Sequence, residues 1–147
     1  MSALPRAVLF ACTHNAIRSP MAAGLMRRRF GPLVRVESAG VRPAGDFSGL
    51  AMAVMDEVGA DISERHPRAF SDIEEGDQFD LIISLSPEAH HHALALIPGL
   101  AAAAEYWPTL DPSLREGSRE QLLMEFRAVR DALDARIAQR FQRPSTG

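Results

Sequence analysis

Short apolar runs alternate with amphipathic stretches along this chain, a pattern typical of strands and helices that take turns around a parallel sheet. Residues 7–11 form a continuously apolar run, as expected of a strand that is covered on both faces. Further strands are predicted over residues 33–36 and 79–85, and a weaker one over residues 105–107. The second strand leads into a loop at residues 37–47.

Helix-start signals stand between and after the predicted strands. Ser19-Pro20 and Ser86-Pro87 each place an N-cap residue before a proline at the first helical position. Ser48 is a third N-cap, for a helix that continues through residue 58 and is closed by Gly59. The last helix opens with a capping box that starts at Ser118. Its apolar stripe consists of Leu122, Phe126, Val129, Leu133 and Ile137.

Four strands alternating with about four helices predict a single α/β domain over residues 1–147. We expect a small, doubly wound domain with a four-stranded parallel sheet flanked by helices. Residues 143–147 are expected to be a disordered tail.

Composition adds mainly exclusions. The chain has 147 residues, 46% hydrophobic and 24% charged, with a formal net charge of −3. A domain of about 150 residues buries roughly two thirds of its unfolded surface, so its core needs no disulfide or structural metal. The mildly acidic balance argues against nucleic acid as a partner. No segment approaches the roughly 20 apolar residues of a membrane span, and no signal-peptide pattern is present. We therefore expect a soluble, cytoplasmic protein without a membrane partner, and a monomer.

Three consecutive histidines, His90, His91 and His92, invite comparison with a metal site. Consecutive residues on a helix point about 100° apart, so the three rings cannot all face one ion. No cluster of cysteine or carboxylate at ligand spacing accompanies them. We expect a solvated helix face and no metal.

Candidate chemistry lies where the first strand ends. Cys12 closes that strand, and residues 13–18 connect it to the helix that starts near Ser19. Ligands of open α/β sheets bind beyond the carboxyl ends of the strands, and loop N–H groups gathered at a helix N-terminus bind oxyanions. The helix dipole and an adjacent arginine favour a thiolate, and the planar fork of Arg18 can hold two oxygens of a phosphate-like anion. All 16 basic residues are arginine, so the C-x5-R spacing alone is weak. A buried, inert cysteine remains the alternative.

The loop Cys12-Thr13-His14-Asn15-Ala16-Ile17-Arg18-Ser19-Pro20 resembles the phosphate loop of the low-molecular-weight protein tyrosine phosphatase superfamily, which also contains the thiol-coupled arsenate reductases. The resemblance covers most of the chain. It includes the small-residue turn Ser38-Ala39-Gly40, residues 61–63, residues 83–86 and the late Asp111-Pro112. It implies a flavodoxin-like arrangement of the predicted sheet and helices.

The resemblance implies a role for each residue of the loop. Cys12 would be the nucleophile, and Arg18 would hold the equatorial oxygens of the phosphoryl group. Asn15 would brace the loop and tolerate a left-handed backbone, and Ser19 would hydrogen-bond the thiolate. Asp111 would be the general acid and then the general base, although Asp-Pro-Ser also starts turns. The remaining substrate-binding residues are Thr13, His14, Ala16 and Ile17.

Several positions depart from the family pattern. His14 stands where the phosphatases usually have glycine, and Ile17 stands where they have a second cysteine. Ser86 occupies the position of the resolving cysteine of thioredoxin-coupled reductases, and no other cysteine exists in the chain, so an internal disulfide cascade is excluded. Ser113 and Leu114 replace the tyrosines of eukaryotic-type members.

The sequence therefore favours a cysteine-dependent phosphomonoesterase that acts on phosphotyrosine in proteins and needs no cofactor. One alternative is an arsenate reductase that uses an external low-molecular-weight thiol, since His14 and Trp107 are more typical of that branch. Another is a non-catalytic module that binds phosphate or a phosphoprotein. Phe47 is a candidate for stacking on a phosphotyrosine ring or for the core.

Overall fold

A four-stranded, fully parallel sheet forms the centre of the molecule. The computed structural model describes residues 4–73, 78–96 and 102–142. Its strands are β1 (Ala7–Cys12), β2 (Arg35–Gly40), β3 (Leu81–Ser84) and β4 (Ala103–Tyr106), in the order β2-β1-β3-β4. The predicted tail at residues 143–147 lies outside the described residues.

Helices cover both faces of the sheet. They are α1 (Arg18–Phe30), α2 (Gly49–Asp56), α3 (Pro87–Leu96) and α4 (Arg119–Arg140). The larger apolar core lies between the sheet and the layer of α1, α2 and α4, and the smaller one lies under α3. The predicted α/β fold, with a parallel sheet between helices, is confirmed.

Short 3-10 turns at Phe70–Asp72 and Pro112–Leu114 interrupt two of the loops. The predicted capping box at Ser118 begins α4, where its side chain accepts from the backbone N–H of Gln121. The stripe of α4 is buried at Phe126, Leu133 and Ile137 and half-buried at Leu122 and Val129. No helix within the described residues is long and apolar enough to cross a membrane.

The second strand extends further than its apolar residues predict. It runs over Arg35–Gly40 rather than residues 33–36, so part of the expected loop pairs with β1. The cause is tertiary: Ser38, Ala39 and Gly40 are small and weakly apolar, but they lie opposite Phe10, Ala11 and Cys12 in the parallel ladder. The ladder therefore carries the end of β2 up to the end of β1.

The histidine run is packed rather than fully solvated. The ring of His90 stacks on Tyr106 with centroids 4.6 Å apart, and the ring of His92 lies 4.5 Å from that of Phe70. Only His91 of the three is exposed. The prediction of a solvated face is wrong for His90 and His92, because α3 lies flat on one side of the sheet.

An ionic link joins α2 to α4. Glu57 accepts hydrogen bonds from Arg127 and Arg130, each with an N–O distance of 2.7 Å. These hydrogen bonds, from Arg127 first and then Arg130, lower the pKa of Glu57 from 4.5 to about 2. Arg130 also donates to the carbonyl of Val54 at 2.9 Å, so the same guanidinium ties the C-terminal half of α2 to α4.

We predict that Glu57→Gln lowers stability at pH 7 and that the deficit shrinks as the pH falls. A depressed carboxyl pKa in the folded state stabilises above the unfolded value of 4.5 and is lost towards a pH of about 2. Urea unfolding of both proteins between pH 7 and pH 3 measures the difference. Glu116→Gln, at an exposed position, is the matched control. A deficit that does not change with pH contradicts this assignment.

Candidate active site

The loop between β1 and α1 turns its carbonyl groups away from the helix N-terminus. Four of them, from Cys12, Thr13, His14 and Ala16, accept hydrogen bonds at 2.8–3.2 Å from backbone N–H groups of residues 41–48. Within the described part of the chain, the backbone N–H groups of residues 14–17 have no acceptor. N–H groups gathered in this way at the start of a helix form a binding site for an oxyanion.

Asn15 sets the curvature of this loop. It is the only non-glycine residue with a positive φ in the described ranges, at 50°. Its fully buried side-chain nitrogen donates to the hydroxyls of Ser19 at 2.7 Å and Ser38 at 2.9 Å. Its side-chain oxygen, Oδ1, accepts from the backbone N–H of Arg68 at 2.8 Å. One side chain therefore joins the loop to α1, to β2 and to the segment before Phe70.

The end of β2 leaves room for the loop. A Cβ at Gly40 would lie 2.7 Å from the backbone nitrogen of Asn15 and 2.9 Å from the carbonyl carbon of His14. Only glycine permits this approach, because the neighbouring atoms are backbone and cannot rotate away.

A cluster of charged side chains fixes Arg68, whose backbone N–H donates to the Asn15 side chain. The carboxylate of Glu37 lies 3.0 Å from Arg68, 3.4 Å from Arg65 and 4.0 Å from Arg27. Burial, followed by the nearby cation of Arg65, lowers the pKa of Arg27 to about 10. The Arg68 side chain also donates to the carbonyl of Asp72, so residue 68 is fixed behind the loop.

Cys12 and Ser19 form a buried pair at the base of the loop. The Cys12 Sγ lies 2.9 Å from the Ser19 Oγ, and the cysteine is 2% exposed. The Ser19 Oγ accepts from Asn15, so its own hydrogen points either to Cys12 at 2.9 Å or to the Ala39 carbonyl at 3.5 Å, and the shorter distance favours a thiolate at Cys12. The N-cap role predicted for Ser19 is wrong: α1 starts at Arg18, and Ile17 stands at the cap position without a side-chain cap.

Arg18, the first residue of α1, connects the loop to the segment after β4. Its guanidinium donates to the carbonyl of Thr109 at 3.1 Å and lies 3.9 Å from the Asp111 Oδ2. The residue is 9% exposed. The carbonyl of Thr109 thus holds one edge of the guanidinium group beside the loop.

The two carboxyl oxygens of Asp111 have different surroundings. Oδ1 accepts from the backbone N–H of Ser113 at 2.9 Å and from its hydroxyl at 2.6 Å, whereas Oδ2 faces Arg18. Asp111 also caps the Pro112–Leu114 turn. Asp111 therefore forms the turn and faces Arg18 at the same time.

These groups surround a pocket of about 150 Å³. Six of the predicted site residues line it: Cys12, His14, Ala16, Ile17, Arg18 and Asp111. The other three support it from behind: Asn15 and Ser19 as described, and Thr13 through a 3.0 Å hydrogen bond to the Ser86 hydroxyl, which also caps α3.

Some contributors were not among the predicted site residues. Ala44 and Ser113 also line the pocket, while Ser38, Arg68 and Thr109 hold its components in place. The sequence signal for Ser113 was its place directly after Asp111-Pro112. Phe47 is buried in the larger core, which removes it as a stacking surface for substrate.

His14 forms one side of the pocket in a defined orientation. Its Nδ1 lies 3.0 Å from the backbone carbonyl of Arg42. Because a carbonyl can only accept, Nδ1 carries the hydrogen and Nε2 is left for other contacts. No group of three or more histidine, cysteine, aspartate or glutamate side chains suited to a metal ion occurs among the residues that the structure describes.

A family model described as low molecular weight phosphotyrosine protein phosphatase matches residues 7–144. The chain belongs to this family. An arsenate reductase of Bacillus licheniformis is 34% identical over 135 residues, which cover 90% of this chain and 92% of that protein. A second arsenate reductase, from Bacillus subtilis, is 32% identical over 133 residues, which cover 88% of this chain and 91% of that protein.

Solved structures of both kinds resemble this family member. An arsenate reductase in the phosphate-binding state is 27% identical, with a TM-score of 0.71 over 91% of this chain and 95% of that one. A tyrosine phosphatase of Erwinia amylovora is 18% identical, with a TM-score of 0.76 over 94% of this chain and 92% of that one, and shares the fold.

We predict that Asn15→Ala lowers the free energy of unfolding by about 2–4 kcal/mol. The substitution leaves buried polar groups without hydrogen-bond partners and forces alanine into a left-handed backbone conformation. Asn15→Gly loses the same hydrogen bonds but accepts the positive φ, so it should be less destabilised by about 1 kcal/mol. Urea unfolding of the three proteins measures both differences. Equal stability of the two variants would show that the backbone conformation contributes nothing.

Proposed function

We propose that this family member is a cysteine-dependent phosphomonoesterase that hydrolyses phosphotyrosine in proteins. The observation that carries the proposal is the convergence of Cys12, Arg18 and Asp111 on one pocket in a chain with a single cysteine. Its volume of about 150 Å³ suits one tetrahedral oxyanion.

The first step transfers the phosphoryl group to sulfur. The thiolate of Cys12, stabilised by the Ser19 hydroxyl and the start of α1, attacks phosphorus while the bond to the leaving oxygen breaks. Arg18 and the free loop N–H groups hold the equatorial oxygens. Asp111 gives its proton to the leaving oxygen. The oxygen that takes part in this transfer is Oδ2, because Oδ1 accepts two hydrogen bonds from Ser113.

The second step restores the enzyme. The carboxylate of Asp111 takes a proton from a water molecule, whose oxygen bonds to phosphorus as the phosphorus–sulfur bond breaks. Phosphate leaves and Cys12 returns as a thiolate. Every group that this cycle needs is a side chain or backbone group of this chain, and no redox partner is required.

Arsenate reduction is the second candidate, and the names of the curated relatives favour it at least as strongly as phosphatase activity. Reduction of arsenate to arsenite takes two electrons, which two thiols supply by forming a disulfide. Cys12 provides one thiol, and Ser86 replaces the residue that could provide another. The second thiol must therefore come from an external molecule, and a further external thiol must then release Cys12 from the mixed disulfide.

We predict that the wild type hydrolyses para-nitrophenyl phosphate without metal between about pH 5 and pH 8, and that Cys12→Ser lowers kcat by at least about 10³-fold. Loss of the nucleophile removes the covalent intermediate, whereas the smaller hydroxyl leaves the loop folded. Circular dichroism checks the fold of the variant. Hydrolysis that survives the substitution contradicts the covalent mechanism.

An inactive wild type with a titratable thiol would move the assay to arsenate with a small external thiol. Arsenite formed only when Cys12 is present supports the second candidate. The absence of both activities leaves a non-catalytic binder of phosphate or of a phosphoprotein.

We predict that Asp111→Asn slows phenyl phosphate hydrolysis by about 10²- to 10⁴-fold and slows para-nitrophenyl phosphate hydrolysis much less. The nitrophenolate leaves without help from a proton, whereas phenolate needs one. Steady-state kinetics with both esters measures the ratio. Asp56→Asn, at an exposed position at the end of α2, is the matched control. Equal losses on the two esters count against the acid role.

A further inference from the structure

A second cavity borders the catalytic pocket at the segment that follows β4. It has a volume of about 330 Å³ and separates residues 107–112 from one face of α4. Its apolar lining includes Trp107, Leu110, Val129 and Leu133. A cavity of this size and polarity is typical of a site that takes an apolar group. We call it the α4 groove.

The α4 groove shares a wall with the catalytic pocket. Asp111 lines both, so the two spaces meet at one short segment. Leu110, directly before Asp111, is 71% exposed at the groove. An extended chain advances about 3.3 Å per residue. A peptide with its phosphorylated residue in the pocket therefore reaches the groove within a few residues.

Positive charge lies at the rim of the α4 groove. The guanidinium of Arg136 sits 5.0 Å from the centroid of the Trp107 ring, and Arg115, at the end of the Pro112–Leu114 turn, also lines the groove. Neither arginine forms a salt bridge within the described ranges, and Glu105, the acid near Arg136, is held by Arg140. Glu125 is the only acidic residue besides Asp111 in the lining. Since Asp111 faces Arg18, the two arginines against Glu125 leave a small positive charge at the groove, which suits an acidic partner.

We propose that the α4 groove binds the segment of a phosphoprotein substrate that adjoins the phosphorylated residue, and that it selects an apolar side chain flanked by carboxylates. This inference rests on the proposed phosphatase function and names the substrate feature recognised outside the phosphate pocket. Free arsenate has no group that could occupy the groove.

Trp107 provides a direct measurement, because it is the only tryptophan in the chain and its ring, 2% exposed, lies against the groove. The experiment titrates Cys12→Ser protein, which binds without turnover, with two phosphotyrosine peptides. One carries a leucine flanked by glutamates three residues from the phosphotyrosine, and the other carries alanine and glutamine there. A second pair places the same residues on the other side of the phosphotyrosine. Inorganic phosphate serves as a probe of the catalytic pocket alone.

In at least one of the two pairs, the peptide with leucine and glutamates should change the Trp107 emission. It should also bind about tenfold more tightly than the peptide with alanine and glutamine. Inorganic phosphate should leave the emission unchanged. In the wild-type enzyme the same peptide should show a kcat/KM about tenfold higher than its partner.

Ala132→Phe tests whether the preference belongs to the α4 groove. Ala132 is an exposed helical residue in its lining, so phenylalanine fills the groove without disturbing the core. The ratio of the two peptides should fall from about ten to about one. Ala135→Phe, an exposed alanine of α4 outside the lining, is the matched control and should keep the ratio. Arg136→Gln should reduce the advantage conferred by the glutamates and keep that of leucine.

The two proposals fail in different ways. If no peptide pair shows a preference, or if Ala132→Phe keeps it, the α4 groove does not bind substrate, whatever the activity on para-nitrophenyl phosphate. If the binding preference is present and lost in Ala132→Phe while the wild type hydrolyses no ester, the groove is supported and phosphatase activity is wrong.

Discussion

The buried amide of Asn15 is the interaction on which the site depends. It joins α1, β2 and the segment around Arg68, three regions that are distant along the chain. Its left-handed backbone reverses the loop, so the carbonyls point towards residues 41–48 and the N–H groups remain for an anion. The same loop conformation requires glycine at position 40, since any side chain there would collide with the loop backbone. The sulfur of Cys12 and the fork of Arg18 face one pocket because this loop keeps its shape.

The parallel sheet supplies the other half of the site. The carboxyl ends of β1, β3 and β4 meet at one edge, and the chain leaving β4 continues the ladder through hydrogen bonds from Trp107 to Ser84 and from Thr109 to Leu85. This continuation delivers the Thr109 carbonyl to Arg18 and places Asp111 above the loop. The position of the proposed acid is therefore set by strand order and not by its own local sequence. Its carboxyl orientation is local, because Ser113 binds one oxygen through both its backbone and its hydroxyl.

The sequence predicts the features that depend on local pattern. Apolar runs identify the strands, a capping box identifies the start of α4, and the spacing from Cys12 to Arg18 in its strand–helix context identifies the loop. The errors arise where a distant contact decides. Ser38 to Gly40 are polar or small and read as a loop, but pairing with β1 makes them a strand. Ser19 has the signature of an N-cap, yet Cys12 and Asn15 take its hydroxyl. The roles of Thr109 and Arg68 rest on contacts across 91 and 53 residues, which no spacing rule reveals.

The two proposed reactions, phosphoryl hydrolysis and arsenate reduction, begin with the same event, attack by the Cys12 thiolate on a tetrahedral oxyanion. The structure of the loop is thus common to both, and the difference lies in what attacks next. A water molecule activated by Asp111 completes the first reaction, whereas the second needs thiols from outside a chain that has only Cys12. The pocket of about 150 Å³ is formed mainly by the loop and Asp111, which both proposed reactions use. Discrimination between a free oxyanion and a phosphorylated protein must therefore come from surfaces beyond the loop, and the segment that carries Asp111 also lines the α4 groove.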